Sequence, residues 1–153
     1  FIYSGFNIRS TEINAYLGIN QLKKINQISK IRQKNYNIYK KYLKKFHYQN
    51  CKSEKLSNFG FATLVKNRDD VFKHLSKNSI ECRPIIAGNI SNQPFWKKIK
   101  NKQKLPYAEL IHDYGIYLPN HSNLKKNDIK FICKEFVKKA KTLGKIHFSF
   151  IKK

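Results

Sequence analysis

Glu81 and Arg83 are the residues of this chain whose types and spacing best suit binding chemistry. They lie in IECRPII, residues 80–86, whose β-branched side chains predict a strand. Residues two apart on a strand share one face of the sheet, so a carboxylate and a guanidinium would lie side by side. A guanidinium fork matches the oxygens of a phosphate or of a carboxylate. Taken alone, the two residues suit a structural salt bridge, and the guanidinium would also suit phosphate oxygens.

The cysteines and histidines predict neither a disulfide framework nor a metal site. The three cysteines are far apart and show no CxxC spacing. The five histidines show no HxxxH or HxH pairing. An odd number of isolated cysteines fits a reduced, cytoplasmic setting.

The charge of the chain is strongly positive and bears on its partners. The 32 Lys and Arg residues against 9 Asp and Glu give a net charge of +23, which would attract any polyanion. The lysines are spread along the chain, and arginine, the better bidentate reader of bases and phosphates, is scarce. A basic nucleic-acid-binding module is therefore the alternative of another class, and the pattern argues against it. No run approaches the roughly 18 apolar residues of a membrane span, so no membrane partner is expected.

The hydrophobic periodicity predicts a long helix, or two helices in series, over residues 11–46. Ser10 or Thr11 is the expected N-cap. The first half of this segment is apolar on several faces, which favours burial against another domain or subunit. Residues 47–57 are polar and predict a loop.

The rest of the chain predicts a small α/β (α+β) domain with a three- or four-stranded sheet packed with helices. Strands are predicted over 58–65, 80–86 and 115–119, and helices from Asp69, over 107–114 and from Asn127 or Asp128. Pro84 has no N–H, so its strand should lie at a sheet edge. The residues expected to face inward from the last helix are Ile129, Ile132, Phe136 and Val137.

The aromatic residues, Trp96 included, are more typical of a core than of a base-stacking surface. The chain also begins at Phe1 and contains no methionine. We therefore expect it to be a piece of a longer polypeptide.

Three motifs follow one another between residues 5 and 136: GFNIRSTEINAYLGINQL, SIECRPI and LPNHSNL. Together they resemble the DegT/DnrJ/EryC1/StrS family of pyridoxal-phosphate-dependent sugar aminotransferases and dehydratases. Ser79 stands where the second motif usually has glycine. The run RPIIAGNISNQP resembles the branch of nucleotide-diphosphate 4-keto-6-deoxysugar 3-dehydratases.

The resemblance implies the C-terminal small domain of a fold-type-I enzyme. Residues 1–46 would form an interdomain or dimer-interface segment, and residues 47–153 the small α/β domain. The catalytic large domain would lie upstream. Members are homodimers that hold pyridoxal phosphate at the subunit interface.

The resemblance also implies roles for individual residues. Asn7 matches the asparagine that reaches the cofactor phosphate across the dimer, although alone it would suit a turn. Arg9 matches the motif arginine, either near the phosphates or paired with Glu12.

Three further residues are expected at the substrate. Arg83 would contact its diphosphate and Glu81 its base or sugar. Asn89 would face the cofactor and the sugar, with a plain turn after Gly88 as its alternative.

The catalytic residue is expected upstream of Phe1, as the Schiff-base lysine of an aminotransferase or the histidine base of a dehydratase. The chain alone should be inactive. The implied function is C3 dehydration of a nucleotide-linked 4-keto-6-deoxysugar in deoxysugar and lipopolysaccharide O-antigen biosynthesis, with sugar transamination as the alternative.

Overall fold

The computed structural model describes residues 10–48, 56–86, 88–94, 96 and 104–144. They form a mixed α+β structure, which confirms the predicted fold class. Its elements are α1 (Glu12–Leu22), α2 (Ile25–Tyr42), β1 (His47–Tyr48), β2 (Gly60–Leu64), α3 (Arg68–Lys77), β3 (Arg83–Pro84), a 3₁₀ turn (Ile90–Asn92), α4 (Pro106–Tyr114), β4 (Gly115–Pro119) and α5 (Lys126–Lys139). No described helix combines the length and the apolar character that crossing a bilayer requires.

The four strands form one antiparallel sheet in the order β1-β2-β4-β3. The predicted edge position of Pro84 is confirmed, because β3 is the last strand of the sheet. β3 is shorter than the predicted strand over 80–86, since only Arg83 and Pro84 pair with β4. Proline cannot donate to the ladder, and this limits the pairing at that edge.

Aromatic side chains join the helices to one face of the sheet. The ring of Tyr39 on α2 stacks on Phe61 of β2 with centroids 4.8 Å apart. The Tyr39 hydroxyl donates to the Pro119 carbonyl at 2.7 Å, which satisfies its polar end inside the core. Phe46 meets Phe136 of α5 edge to face at 5.0 Å. Aromatic contacts therefore join α2 to β2 and join the residues after α2 to α5.

Two local predictions were wrong. Residues His47 and Tyr48 form β1 instead of a loop, because they pair with Leu64 and Thr63 of β2. This tertiary pairing outweighs the polar composition of the segment. On α5, Val137 is 36% exposed and does not face inward, whereas Ile129, Ile132 and Phe136 are buried as predicted, together with Cys133.

The leading segment is two helices in series, α1 and α2, separated at Lys23 and Lys24. Thr11 is the N-cap, and its hydroxyl accepts from the Asn14 N–H at 3.3 Å. No residue of α1 is buried, and Ile13 and Leu17 are 72% and 56% exposed. The described residues therefore leave the apolar surface of α1 uncovered.

Helix α3 ends in a turn that directs the chain toward Glu81. Ser79 has a φ of 57°, the left-handed region that glycine adopts most easily. The Ile80 N–H bonds to the Leu75 carbonyl and the Ser79 N–H to the Ser76 carbonyl, each at 3.0 Å. These two bonds form a Schellman motif, which prefers glycine at the left-handed position. This left-handed conformation explains why the motif that SIECRPI resembles usually has glycine at the position of Ser79.

We predict that Ser79→Gly stabilises the chain by about 1 kcal/mol. A left-handed conformation costs a residue with a Cβ roughly 1–2 kcal/mol, and the greater backbone entropy of glycine offsets part of that gain. Urea unfolding measures the change. Ser76→Gly, inside the same helix, is the control and should destabilise. A loss of stability in Ser79→Gly would contradict this account of the turn.

A buried carboxylate links α5 to α3. The Glu135 side chain is 6% exposed. Its Oε1 accepts from Lys138 Nζ at 2.5 Å, and its Oε2 lies 3.1 Å from His74 Nε2. The hydrogen bond from Lys138, with a further one from His74, lowers the pKa of Glu135 below its ordinary value of 4.5. The ionised carboxylate is therefore the form that the folded chain stabilises.

We predict that this carboxylate makes stability fall in acid. Because its folded pKa is lowered, its contribution is complete above about pH 4.5 and is lost as the pH falls through the folded pKa. Glu135→Gln should therefore be less stable than wild type at pH 7, and the gap should narrow below about pH 4.5. Thermal unfolding as a function of pH measures the gap, with Asp69→Asn, whose side chain is 86% exposed, as the control. A pH-independent gap would count against the prediction.

Candidate functional site

The edge strand β3 places the Arg83 side chain on the exposed part of the sheet. Arg83 pairs directly with Tyr117 of β4, and Tyr117 pairs on its other side with Ala62 of β2. Directly opposed residues share one face of a sheet, so Arg83 and Tyr117 are neighbours there. This is the face opposite the core residues Ile116 and Leu118. The predicted substrate contact thus lies away from the helices that cover the core.

Glu81 and Arg83 meet as their spacing predicts. Arg83 Nε and Nη2 both donate to Glu81 Oε1, at 3.0 and 2.6 Å. The side chains are 76% and 75% exposed for Arg83 and Glu81. An ion pair this open to water contributes only about 0–1 kcal/mol. The structure therefore shows the ion pair that the spacing predicts. Because the pair contributes little free energy, an anionic ligand could replace Glu81 as the partner of Arg83.

The two residues line a cleft of about 260 Å³, which we call the Arg83 cleft. Its other walls come from the start of β2, from β4 and from the residues after β4. They include Phe59, Tyr117, Asn120 and His121. Cys82 also lines it, but burial, followed by the charge of Glu81, raises the pKa of its thiol to about 11. The cleft therefore offers a cation, a carboxylate and aromatic rings, with no reactive thiolate at neutral pH.

Asn89 is held inside its own loop. It is 2% exposed, and its Nδ2 donates to Glu109 Oε1 at 2.9 Å. Its Oδ1 accepts from the N–H and the hydroxyl of Ser91 at 3.0 and 2.7 Å, which caps the 3₁₀ turn. Gly88, with a φ of 51°, makes the tight turn before it. The structure thus shows the turn after Gly88 that sequence analysis gave as the alternative for Asn89. The contact of Asn89 with the substrate stays a prediction.

Asn7 and Arg9 lie outside the described residues. Their roles near the cofactor therefore stay predictions. Of the five residues expected at the site, the structure places two, Glu81 and Arg83, in one cleft.

A second, apolar cleft of about 520 Å³ lies over the sheet between β1 and α4. Its walls are mostly hydrophobic and include Tyr48, Leu64, Ile85 and Ile111. A pyridoxal phosphate site needs an amine or base at the reacting carbon and donors for the phosphate. The lining residues that the structure describes include no lysine in either cleft, and their bases are His47 here and His121 in the Arg83 cleft. Without a lysine, these residues offer no amine for a Schiff base with the cofactor.

Sequence reasoning assigned the aromatic residues to the core, and among the described residues this was wrong for six of them. The exposed aromatic residues are Tyr16 (69%), Tyr42 (46%), Phe59 (57%), Trp96 (38%), Tyr107 (37%) and Phe131 (47%). The sequence placed Phe59 inside the predicted strand over 58–65, whereas β2 begins at Gly60 and Phe59 directly precedes it.

The described residues form a mixed α+β fold in which Glu81 and Arg83 line a cleft at an exposed edge of the sheet. The chain belongs to the DegT/DnrJ/EryC1/StrS aminotransferase family, whose model matches residues 2–137. This confirms the predicted family.

Similar proteins include both kinds of reaction. The chain is 32% identical over 139 residues to GDP-4-keto-6-deoxy-D-mannose 3-dehydratase of Yersinia pseudotuberculosis, covering 79% of this chain and 33% of that protein. It is 25% identical over 134 residues to GDP-perosamine synthase of Escherichia coli O157:H7, covering 84% and 36%. The chain spans about a third of the length of these relatives.

Solved structures share the fold. GDP-4-keto-6-deoxy-D-mannose-3-dehydratase of E. coli, with bound hydrated PLP, superposes with a TM-score of 0.77 at 26% identity, covering 89% of this chain and 38% of that one. The Helicobacter pylori aminotransferase PseC, involved in pseudaminic acid biosynthesis, also gives 0.77, at 24% identity over 88% and 38%. A mutant of GDP-4-keto-6-deoxymannose-3-dehydratase with bound GDP-perosamine gives a TM-score of 0.77 at 26% identity, covering 89% of this chain and 38% of that one.

Proposed function

We propose that this chain is the C-terminal part of a pyridoxal-phosphate-dependent enzyme that dehydrates a nucleotide-diphosphate 4-keto-6-deoxysugar at C3. The enzyme would act in deoxysugar and lipopolysaccharide O-antigen biosynthesis, in the reduced cytoplasm. The observation that carries the proposal is the exposed Arg83 guanidinium, which lines a cleft. It lies in a chain of which 79% aligns with a GDP-4-keto-6-deoxy-D-mannose 3-dehydratase. Since the similar enzymes are named for GDP-sugars, the proposed nucleotide is guanosine diphosphate.

The role of this chain is to bind and orient the substrate. Arg83 would exchange its pairing with Glu81 for the diphosphate oxygens, which accept the same bidentate fork. Glu81, once released, would accept from N–H or O–H groups of the base or sugar. Pyridoxal phosphate supplies an electron sink when bound. Sugar transamination is the alternative, favoured by the similarity to GDP-perosamine synthase, and the residue that decides between them is expected upstream of this chain.

The exposed surface of α1 supports the rest of the proposal. Its large apolar side chains would be covered by the catalytic large domain or by the second subunit of a homodimer. Within the predicted interdomain or dimer-interface segment over residues 1–46, α1 would make this contact, while α2 packs on the sheet through Tyr39. Arg9 would lie near the phosphates, and Asn89 would face the cofactor and sugar, as part of the same proposal.

We predict that Arg83→Ala, introduced into the full-length gene product, raises the KM for the GDP-sugar about tenfold or more, with little loss of bound cofactor. A hydrogen-bonded charge contact contributes about 1.5–3 kcal/mol, and removing it weakens binding. Steady-state kinetics measure the KM, and absorbance measures the bound cofactor.

The control is Lys134→Ala, which removes one exposed positive charge from α5, far along the chain from the cleft. An unchanged KM in Arg83→Ala would contradict the assignment. Binding to random-sequence DNA in moderate salt tests the alternative class. Tight, sequence-blind binding without affinity for GDP would favour a nucleic-acid module over the enzyme.

We predict that Asn7→Ala weakens cofactor retention by about fivefold to tenfold, as expected for the loss of one hydrogen bond of about 1 kcal/mol. Absorbance titration of the cofactor-free protein with pyridoxal phosphate measures the affinity. Asn123→Ala, an exposed asparagine before α5, is the matched control. Equal titration curves for both variants would remove Asn7 from the phosphate site.

A further inference from the structure

We infer that Phe59 and Tyr117 form an aromatic surface in the Arg83 cleft on which the base of a nucleoside diphosphate stacks. The inference rests on the proposed function for the class of ligand. It adds the residues that would bind the base, beyond the charged pair that would bind the phosphates.

The two rings lie together and are open to the cleft. Their centroids are 5.2 Å apart with a tilt of 50°, and both residues line the same cleft as Glu81 and Arg83. Phe59 is 57% exposed, although burying its ring in the core would be favourable. Phe59 thus presents a large exposed ring to the cleft that Arg83 also lines.

The sheet fixes the position of the Tyr117 ring. Tyr117 lies between Ala62 and Arg83 in the strand pairing. Its ring passes over Gly60, where an added Cβ would come within 3.1 Å of Tyr117 Cδ1. The absence of a side chain at position 60 therefore leaves room for the ring next to Phe59.

A buried amide fixes the backbone of Phe59. Asn120 is fully buried, and its Nδ2 donates to the Asn58 carbonyl at 2.8 Å. The Asn120 N–H donates to the Phe59 carbonyl at 3.2 Å. Both bonds hold the residues just before β2, so the exposed ring stands on an ordered backbone. A ring positioned in this way loses little freedom when a ligand binds.

The chemistry of the cleft matches the two ends of a nucleoside diphosphate. Its base has a flat aromatic face, which stacks on aromatic side chains whichever base it is. Its pyrophosphate is an anion that suits the Arg83 guanidinium. The cleft brings an aromatic pair and a guanidinium together over one stretch of the sheet edge, because Arg83 and Tyr117 are direct neighbours.

Isothermal titration calorimetry tests the inference. The full-length gene product is titrated with GDP and, separately, with inorganic pyrophosphate. Phe59→Ala should weaken GDP binding about tenfold and leave pyrophosphate binding unchanged. Arg83→Ala should weaken the binding of both. Phe131→Ala, which removes a 47% exposed ring from α5, is the matched control and should change neither.

A second variant, Phe59→Trp, separates a loss of stacking from damage to the fold. A larger aromatic face should bind GDP at least as tightly as phenylalanine does, and damage to the fold would not produce this result. If GDP binds and Arg83→Ala weakens it, but Phe59→Ala behaves like Phe131→Ala, the aromatic surface is refuted while the proposed function stands. If wild type binds no GDP, or Arg83→Ala changes nothing, the proposed function itself fails at this cleft.

Discussion

The antiparallel pairing of β4 with both β2 and β3 is the constraint on which the rest of the structure depends. One side of β4 presents Ile116 and Leu118, both fully buried, to the helices. The other side presents Tyr117, which stands between Ala62 and Arg83. Because side chains alternate along a strand, the register that builds the core also builds the cleft. A shift of one residue in this pairing would bury the tyrosine and expose the core.

The buried Glu135 cluster and the exposed Glu81–Arg83 pair differ in how much water reaches their charges. Glu135 is buried between His74 and Lys138, and these contacts lower its pKa and join α3 to α5. Glu81 and Arg83 form a pair with similar distances but on an open edge, where water competes for both. The first cluster therefore holds the domain together, and the second is available to a ligand.

Much of the fold could be predicted from sequence because it depends on local signals. The strand over 115–119 and the edge position of Pro84 follow from β-branched residues and from a missing N–H. The spacing of Glu81 and Arg83 predicted that their side chains would meet, and they do, although Glu81 lies before the strand and not on it. The short strand β1 could not be predicted, because its residues become a strand only by pairing with β2. Likewise, Phe59 has the residue type of a core position, but its ring is 57% exposed, which residue type alone does not predict.

The central claim is that the open edge beside β4 binds the nucleotide of a sugar substrate. A crystal structure of the protein as the gene encodes it, with GDP bound, tests this most directly. The account predicts pyrophosphate oxygens within about 2.7–3.2 Å of Arg83 nitrogens and a base lying against Phe59. A nucleotide bound elsewhere, with Arg83 still paired to Glu81 and the aromatic rings bare, would contradict it.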